Sequence, residues 1–243
     1  MFLSHIRQLT ADSKRLRIFL ILCLSTAFNF ALIGGRLWYL GIDLTEIATT
    51  QDYYKLRGST TFLFLVWNLF LAWIPYWIAI SLESIHQWFG KGMLSFLALL
   101  AWLFFFPNAP YILTDLLHLR SRAPIPHWYD LMLIASCAWT GLMLGLLSLY
   151  EVQVFLRRRF SAGFSWVAVS LFIMACGYGI YLGRYLRWNS WDVLAQPLSL
   201  FHDIWQSFLD PVLFRHSMQV SLVLSGFLML AYLMMHGMMA KDR

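Results

Sequence analysis

Residues 131–150 read LMLIASCAWTGLMLGLLSLY, twenty consecutive positions without a charged side chain. A helix needs about 20 mostly apolar residues to cross the hydrocarbon core of a bilayer, so this stretch is long enough to span one. Its apolar residues are continuous and do not alternate with polar ones, which favours a membrane helix over a strand of a membrane barrel. The stretch therefore indicates a transmembrane α-helix.

The same pattern recurs in both directions along the chain. Six stretches are long and apolar enough to span a membrane, at about 18–40, 60–82, 93–113, 131–155, 164–185 and 217–238. We therefore expect an all-α fold, a six-span transmembrane helical bundle that forms one domain over residues 18–240. A basic segment, residues 1–17, precedes this domain. Pro107 and Pro110 interrupt the third stretch, so we expect that span to be broken there.

The composition of the whole chain agrees with this reading. Hydrophobic residues make up 60% of the 243 residues, charged residues only 12%, and the mean hydropathy is +0.64. A soluble domain usually carries about 25% charged residues, because its surface must face water. The sequence therefore excludes a soluble enzyme, a nucleic-acid-binding protein, a coiled coil and a disordered tail. The net charge of +6 does not indicate nucleic-acid binding, because it follows from how the basic residues are distributed over the loops.

Most lysines and arginines fall on one side of the predicted bundle. Ten of the eighteen do so: Arg7, Lys14, Arg15, Arg17, Lys91, Arg157, Arg158, Arg159, Lys241 and Arg243. Because cytoplasmic loops are enriched in Lys and Arg, we predict that both termini are cytoplasmic. The longest polar segments, 41–59 and 186–214, then lie on the outer side. Residues 198–209 are amphipathic and predict a short helix on the outer membrane surface, with His202 and Asp203 as surface groups.

The predicted interior of the bundle is nearly free of charge. Its polar residues are Asn29, Asn68, Ser136, Thr140, Ser170, Ser221 and Ser225, which are typical of hydrogen bonds between helices. Ion-coupled transporters usually carry an acidic or histidine relay at this depth, and none is present. The three cysteines form no pair or cluster with histidine. The sequence thus predicts no metal site and no cofactor, and it contains no recognised catalytic motif.

A first polar cluster follows the proline pair, in residues 106–120, FPNAPYILTDLLHLR. Pro107 lies about 21 Å along the third span, within the outer leaflet, and Asn108 is expected to cap the helix that resumes. Beyond it, Tyr111, Asp115 and His118 share one helix face, with Thr114 beside them. An unwound segment at this depth must be buried by protein or line a cavity. Two interpretations remain open, a binding site and a kinked helix whose polar residues meet water or an arginine.

A second polar cluster ends the fifth span, in residues 177–192, GYGIYLGRYLRWNSWD. Gly179 and Gly183 form a GxxxG pair, as Gly141 and Gly145 do in the fourth span, and such pairs allow helices to approach closely. Arg184 and Arg187 extend the same face and could bind a carboxylate or a phosphate. We expect a buried partner for Arg184, either Asp115 or Asp130. Asp130 also lies at the start of the fourth span, where a carboxylate stabilises a helix N-terminus.

These two clusters carry a resemblance to a known family. The strings FPNAPYILTDLLHL and GRYLRWNSWD, with the intervening PIPHWYD and GLMLGLLSLY, resemble an uncharacterised bacterial membrane-protein family, domain of unknown function 1361. The resemblance runs from about residue 62 to residue 235. It implies a multi-pass protein of the bacterial inner membrane, and it implies no activity, substrate or catalytic residue.

Three functions from different classes fit the sequence. In the first, an outer-leaflet pocket binds or processes a lipid or lipid-linked headgroup. Asp115 and His118 are then the acid/base candidates. The binding candidates are Asn108, Tyr111, Thr114, Asp130, Arg184 and Arg187. The second is a non-enzymatic membrane subunit or scaffold, and the third is a small-solute transporter. Whether Asp115 pairs with Arg184 or lines a cavity stays open, and the lipid bilayer is the only partner that the sequence predicts.

Overall fold

The computed structural model describes residues 13–41, 62–89, 92–120 and 124–240. Most of the basic segment 1–17 and most of the outer segment 41–59 lie outside the described residues. The helices are α1 (Ser13–Tyr39), α2 (Phe64–Phe89), α3 (Gly92–Phe105), α4 (Asn108–Tyr111), a 3₁₀ helix (Ile112–His118), α5 (His127–Arg157), α6 (Ala162–Tyr185), α7 (Asp192–Ala195), α8 (Pro197–Leu209) and α9 (Pro211–Ala240). The described ranges contain no strand, and the all-α prediction is confirmed.

Among the described residues, six helices are long and apolar enough to cross a membrane, as predicted. They are α1, α2, the stretch from α3 to the end of the 3₁₀ helix, α5, α6 and α9. Several extend past the predicted spans. In particular, α9 begins at Pro211 and not near residue 217, since hydropathy marks only the part of a helix that lies in the hydrocarbon. Proline is well suited to the first helical turn, because the N–H groups of that turn have no acceptor within the helix and the N–H that proline lacks is therefore not needed.

Helix α5 is the centre of the bundle. In its most apolar window 61% of residues are buried, compared with 22% in α1 and in α9. It packs against α1, α2, α4, the 3₁₀ helix and α6, while α9 packs mainly on α6. Two apolar clusters form around it, one with α6 and α9 and the other with α1 and α2. The residues on α5 therefore face protein on most sides and lipid on few.

The third span changes its winding at the proline pair. Helix α3 ends at Phe105, a turn follows at residues 106–107, and α4 is a single turn from Asn108 to Tyr111. Asn108 is the first residue of α4 and not its cap, because its side-chain amide donates to the carbonyl oxygen of Phe105 (3.0 Å). The capping role expected for Asn108 is therefore wrong. From Ile112 to His118 the chain winds as a 3₁₀ helix.

Both glycine pairs pack against this short segment. A β-carbon at Gly145 on α5 would lie 3.2 Å from Cδ of Pro110, and one at Gly179 on α6 would lie 2.8 Å from Cγ of Pro107. Gly141 faces the Ala109 carbonyl oxygen and Gly183 the Tyr111 ring in the same way. The glycines thus allow α5 and α6 to hold the segment 107–111 between them, as expected for small residues at a close helix contact.

Helix α8 coincides with the predicted amphipathic helix 198–209 and contacts α7 and α9. His202 is exposed, as expected for a surface group. Asp203 is only partly exposed, because its carboxylate accepts a hydrogen bond from the indole Nε1 of Trp188 (3.0 Å). Asp203 thus lies at the surface as expected, but with a protein partner. This bond ties α8 to the loop that follows α6.

Candidate functional site

Arg184, near the end of α6, gathers four of the predicted site residues around its guanidinium group. Its Nη2 donates to the carboxylate of Asp115, and its Nε donates to the Thr114 hydroxyl (2.8 Å). Its Nη1 lies 3.0 Å from Nε2 of His118, and its Cζ lies 4.5 Å from the centre of the Tyr111 ring. The two polar clusters of the sequence therefore meet in one network, which we call the Arg184 network.

Asp115 is the buried member of this network, with 1% of its surface exposed. Its second oxygen accepts a hydrogen bond from Nδ2 of Asn68 on α2 (2.8 Å). The 3₁₀ winding contributes to the arrangement, because residues three apart are eclipsed in such a helix and His118 is therefore stacked near Asp115. Nε2 of His118 lies 4.0 Å from the Asp115 carboxylate. Of the two alternatives left open by the sequence, the structure shows Asp115 paired with Arg184.

The partners of Arg184 limit its chemistry. Each of its three nitrogen atoms already meets a protein atom, and 13% of the side chain is exposed. Buried charges of this kind are stabilised by their mutual attraction and by further hydrogen bonds that satisfy the remaining donors. The network can hold the ends of three spans together. Three of the five N–H donors of Arg184 are engaged in it, one on each nitrogen atom.

Asp130 belongs to a different cluster. Its carboxylate accepts two hydrogen bonds from Arg36 on α1, 2.8 Å from Nε and 3.0 Å from Nη2, and the two side chains are 1% and 0% exposed. The ring of Phe62 lies 3.9 Å from the Cζ of Arg36. The expected pairing of Asp130 with Arg184 is therefore not found. Sequence reasoning missed Arg36 because it was counted among the basic residues of the outer loops.

Arg187 does not share a face with Arg184. Helix α6 ends at Tyr185, and Arg187 follows with a backbone φ of 62°, in the left-handed region. The change of backbone direction turns its side chain away from the helix face, where it is exposed. The expectation that the two arginines act together is wrong for this reason.

A cavity of about 370 Å³ lies beside the Arg184 network. Its lining residues come from α2, α3, the turn that follows α3, α4, α6, the loop that follows α6, α7 and α8. Its polar lining consists of Asn68, Asn108, Tyr111, Tyr178, Asn189 and Ser190. Its apolar lining includes Leu71, Leu103, Pro107, Leu182 and Ile204. Within the described part of the chain, no charged side chain lines this cavity.

Two of the predicted residues, Asn108 and Tyr111, line the cavity, whereas Thr114, Asp115, His118 and Arg184 stand behind its wall. Asn68 joins the two regions, since it lines the cavity and donates to Asp115. The sequence placed Asn68 only among interior residues that bond to other helices. Its position in the turn of α2 that faces Asp115 could be found only from the packing of α2 on the 3₁₀ helix.

The mouth of the cavity is rimmed by exposed aromatic side chains. Trp67 on α2 is 52% exposed and Phe104 on α3 is 49% exposed, and both lie within predicted membrane spans. The Trp67 ring also meets the Trp191 ring at an edge, with 6.2 Å between their centres. Exposed large apolar side chains on helices of this kind are the ones that lipid would cover in a membrane.

The described residues contain no group of three His, Cys, Asp or Glu side chains close enough to hold a metal ion. The polar groups of the cavity lining are amides and hydroxyls, and the carboxylate, imidazole and guanidinium of Asp115, His118 and Arg184 lie beside it. The lining can donate and accept hydrogen bonds.

Comparison with known proteins identifies a family. A model described as "Protein of unknown function (DUF1361)" matches residues 67–233, more than half of the chain. The chain belongs to the DUF1361 family. The match covers Trp67 at the mouth of the cavity, both glycine pairs and the Arg184 network, and it agrees closely with the resemblance over 62–235. No curated protein and no solved structure matches this DUF1361 chain.

Proposed function

We propose that the cavity binds the headgroup of a lipid taken from the outer leaflet of the bacterial inner membrane. The observation that carries this proposal is that exposed aromatic residues of two candidate membrane spans, Trp67 and Phe104, line the same cavity as a set of amides and hydroxyls. A lipid that enters sideways would keep its acyl chains outside, against the exposed aromatic rim. Its polar head would then lie against Asn68, Asn108 and Tyr111.

The geometry supports binding better than processing. Asp115 and His118, the acid/base candidates, do not line the cavity, and Asp115 is held by Arg184 and Asn68. A general acid or base has to reach the reacting group directly or through one water molecule. We assign the Arg184 network the role of fixing the cavity wall, and Asn108 and Tyr111 the role of contacting the headgroup.

Native mass spectrometry of the protein in mild detergent tests the proposal. In Ala175→Phe a ring replaces a small, exposed side chain of α6 that lines the cavity, so this variant should lose the bound lipid. Ala31→Phe is the matched control, because Ala31 is an exposed residue of α1 that lies away from the cavity. If both variants retain the lipid found in the wild type, the cavity is not the binding site.

A second candidate function is a non-enzymatic membrane subunit. It is favoured by the exposed apolar side chains of α8, among them Leu198 at 85%, Phe201 at 64% and Trp205 at 54%. A partner protein could cover this face, although a membrane surface would cover it equally well. Under this function, wild type and Ala175→Phe would purify with the same partner. A small-solute transporter has the least support, since the buried charged residues Arg36, Asp115 and Asp130 are all paired.

A further inference from the structure

The hydrogen bonds of two asparagines determine what the cavity offers to a ligand. Nδ2 of Asn68 donates to the carboxylate of Asp115, which can only accept. Nδ2 of Asn108 donates to the carbonyl oxygen of Phe105 (3.0 Å) and to the hydroxyl of Ser190 (2.8 Å). The orientation of each amide is therefore fixed by its partners. Both N–H groups of Asn108 are engaged and its Oδ1 remains, whereas Asn68 retains its Oδ1 and its second N–H.

These two oxygen atoms have no donor among the described residues. Neither Asn68 nor Asn108 has a further partner there, and neither Oδ1 is sealed away from the surface. Since both residues line the cavity, the two carbonyl oxygens are available to a ligand inside it. An amide oxygen accepts hydrogen bonds and cannot donate them. The cavity therefore presents two fixed acceptors.

Two further polar groups of the cavity, the hydroxyls of Ser190 and Tyr178, are engaged with protein atoms. The Ser190 hydroxyl accepts from Asn108 and donates to the carbonyl oxygen of Phe104 (3.0 Å). The Tyr178 hydroxyl shares a hydrogen bond with the hydroxyl of Ser207 (2.7 Å). Arg184, the nearest cation, is held by the network behind the wall. A phosphate group could accept from the Tyr111 hydroxyl and from the second N–H of Asn68, but its oxygens would also face the two amide oxygens, and the described lining has no cation to balance its charge.

We propose that the ligand is a neutral, hydroxyl-rich group, such as the sugar or glycerol head of a lipid, and not an anionic phosphate. Hydroxyl groups on neighbouring carbons would donate to Oδ1 of Asn68 and to Oδ1 of Asn108. An ammonium group could donate as well, but the cavity lining has no carboxylate to balance its charge. This inference rests on the proposed function, and it assigns Asp115 as the positioning residue for the Asn68 amide.

The test is a competition between two lipids with identical acyl chains. Wild-type protein is mixed with equal amounts of monoglucosyl-diacylglycerol and phosphatidic acid, and the bound lipids are counted by native mass spectrometry. We expect about tenfold more glucosyl lipid than phosphatidic acid, as for the loss of one hydrogen bond that leaves a buried acceptor unpaired. Equal binding, or a preference for phosphatidic acid, overturns the inference.

Asn68→Leu and Asp115→Asn test the assigned roles. The first removes one acceptor, and the second removes the carboxylate that fixes the Asn68 amide, so each should reduce the tenfold preference to about twofold or less. Ser136→Ala, a polar change away from the cavity, should leave the preference intact. The ratio is measured on folded molecules that bind both lipids, so loss of stability alone does not change it. An unchanged ratio in both variants overturns the assignment.

Two further arms separate the inference from the proposed function. Suppose that the wild type prefers phosphatidic acid and that Ala175→Phe abolishes its binding. In that case the cavity binds lipid and only the inferred headgroup class is wrong. If Ala175→Phe changes the binding of neither lipid, the proposed function fails and the inference fails with it. Methyl glucoside is added in a third sample. If this free sugar displaces the glucosyl lipid at equal concentration, the ligand is a soluble polyol. That result would overturn the proposal that the hydroxyl-rich group belongs to a lipid.

Discussion

A β-carbon added to Gly179 would lie 2.8 Å from Cγ of Pro107, so these two residues pack with no room for a side chain between them. Gly179→Ala should therefore push α6 away from the segment 107–111 and destabilise the fold by about 1–3 kcal/mol, the usual cost of overpacking. Thermal unfolding in detergent measures this loss. Gly226→Ala is the matched control, because a β-carbon there meets nothing within 4 Å, and an equal loss in both variants would contradict the prediction.

The Arg184 network allows a prediction about stability for Asp115→Asn, a substitution that keeps the shape of the side chain and removes its charge. Asp115→Asn leaves the Arg184 guanidinium without its buried carboxylate, so it should destabilise the protein by roughly 3 kcal/mol, nearly as much as Asp115→Ala. The melting temperatures of the two variants provide the measurement. His118→Ala is the control, since the His118 side chain is 42% exposed and should contribute much less. A wild-type melting temperature for Asp115→Asn would exclude this account.

The pair between Arg36 and Asp130 makes a second prediction about stability. Asp130→Ala should cost about 3–5 kcal/mol, because it leaves a buried arginine without its carboxylate. The double variant Arg36→Met with Asp130→Leu should be less damaging than Asp130→Ala. Glu151→Ala, which breaks the more exposed pair with Arg15, should cost less than about 1 kcal/mol. Chemical denaturation curves for the four proteins would show this order, and similar losses for both pairs would argue against it.

The hydrogen bond from Trp188 to Asp203 should protect α8 from local unfolding. Trp188→Phe removes the indole donor, so backbone amides in α8 should exchange with deuterium faster, by about tenfold if one hydrogen bond is lost. Hydrogen-exchange mass spectrometry over Pro197–Leu209 measures this. Trp205→Phe is the matched control, because Trp205 lies on the same helix and is 54% exposed. Equal exchange in wild type and Trp188→Phe would show that the bond does not secure the helix.

The positive-inside distribution predicts the orientation of the bundle in the membrane. A cysteine that replaces His202 in α8 should react with a membrane-impermeant maleimide added to intact cells. A cysteine that replaces Arg158, after α5, should react only after the membrane is opened. The native cysteines are first replaced by serine or alanine. The reverse labelling pattern would invert the predicted topology.

The sequence was sufficient for the number of spans and insufficient for the partners of the charged residues. Hydropathy along residues 131–150 predicts a helix because membrane spans are apolar over a fixed length. No local pattern indicates that Asp130 meets Arg36, 94 positions away, or that the Asn68 amide meets Asp115. Such pairs depend on how α1, α2 and α5 pack, which is set by the shapes of many apolar side chains together.

Errors about single residues had local causes. Arg187 was assigned to the face of Arg184 because a helix was assumed to continue, whereas the chain leaves the helix after Tyr185. Asn108 was assigned as a cap, although an asparagine amide can donate as readily as its oxygen accepts, and here it donates. In each case the residue type was compatible with two arrangements, and only the backbone of the folded chain selects between them.

The position of Arg36 has a consequence for the order in which the protein is made. Its carboxylate partner, Asp130, is synthesised 94 residues later, at the start of the central helix α5. A growing chain that has inserted α1 and α2 therefore holds a guanidinium near the membrane without that counterion, at a cost of several kcal/mol. Arrival of α5 removes the cost. The ion pair between Arg36 and Asp130 therefore forms only after more than half of the chain has been made.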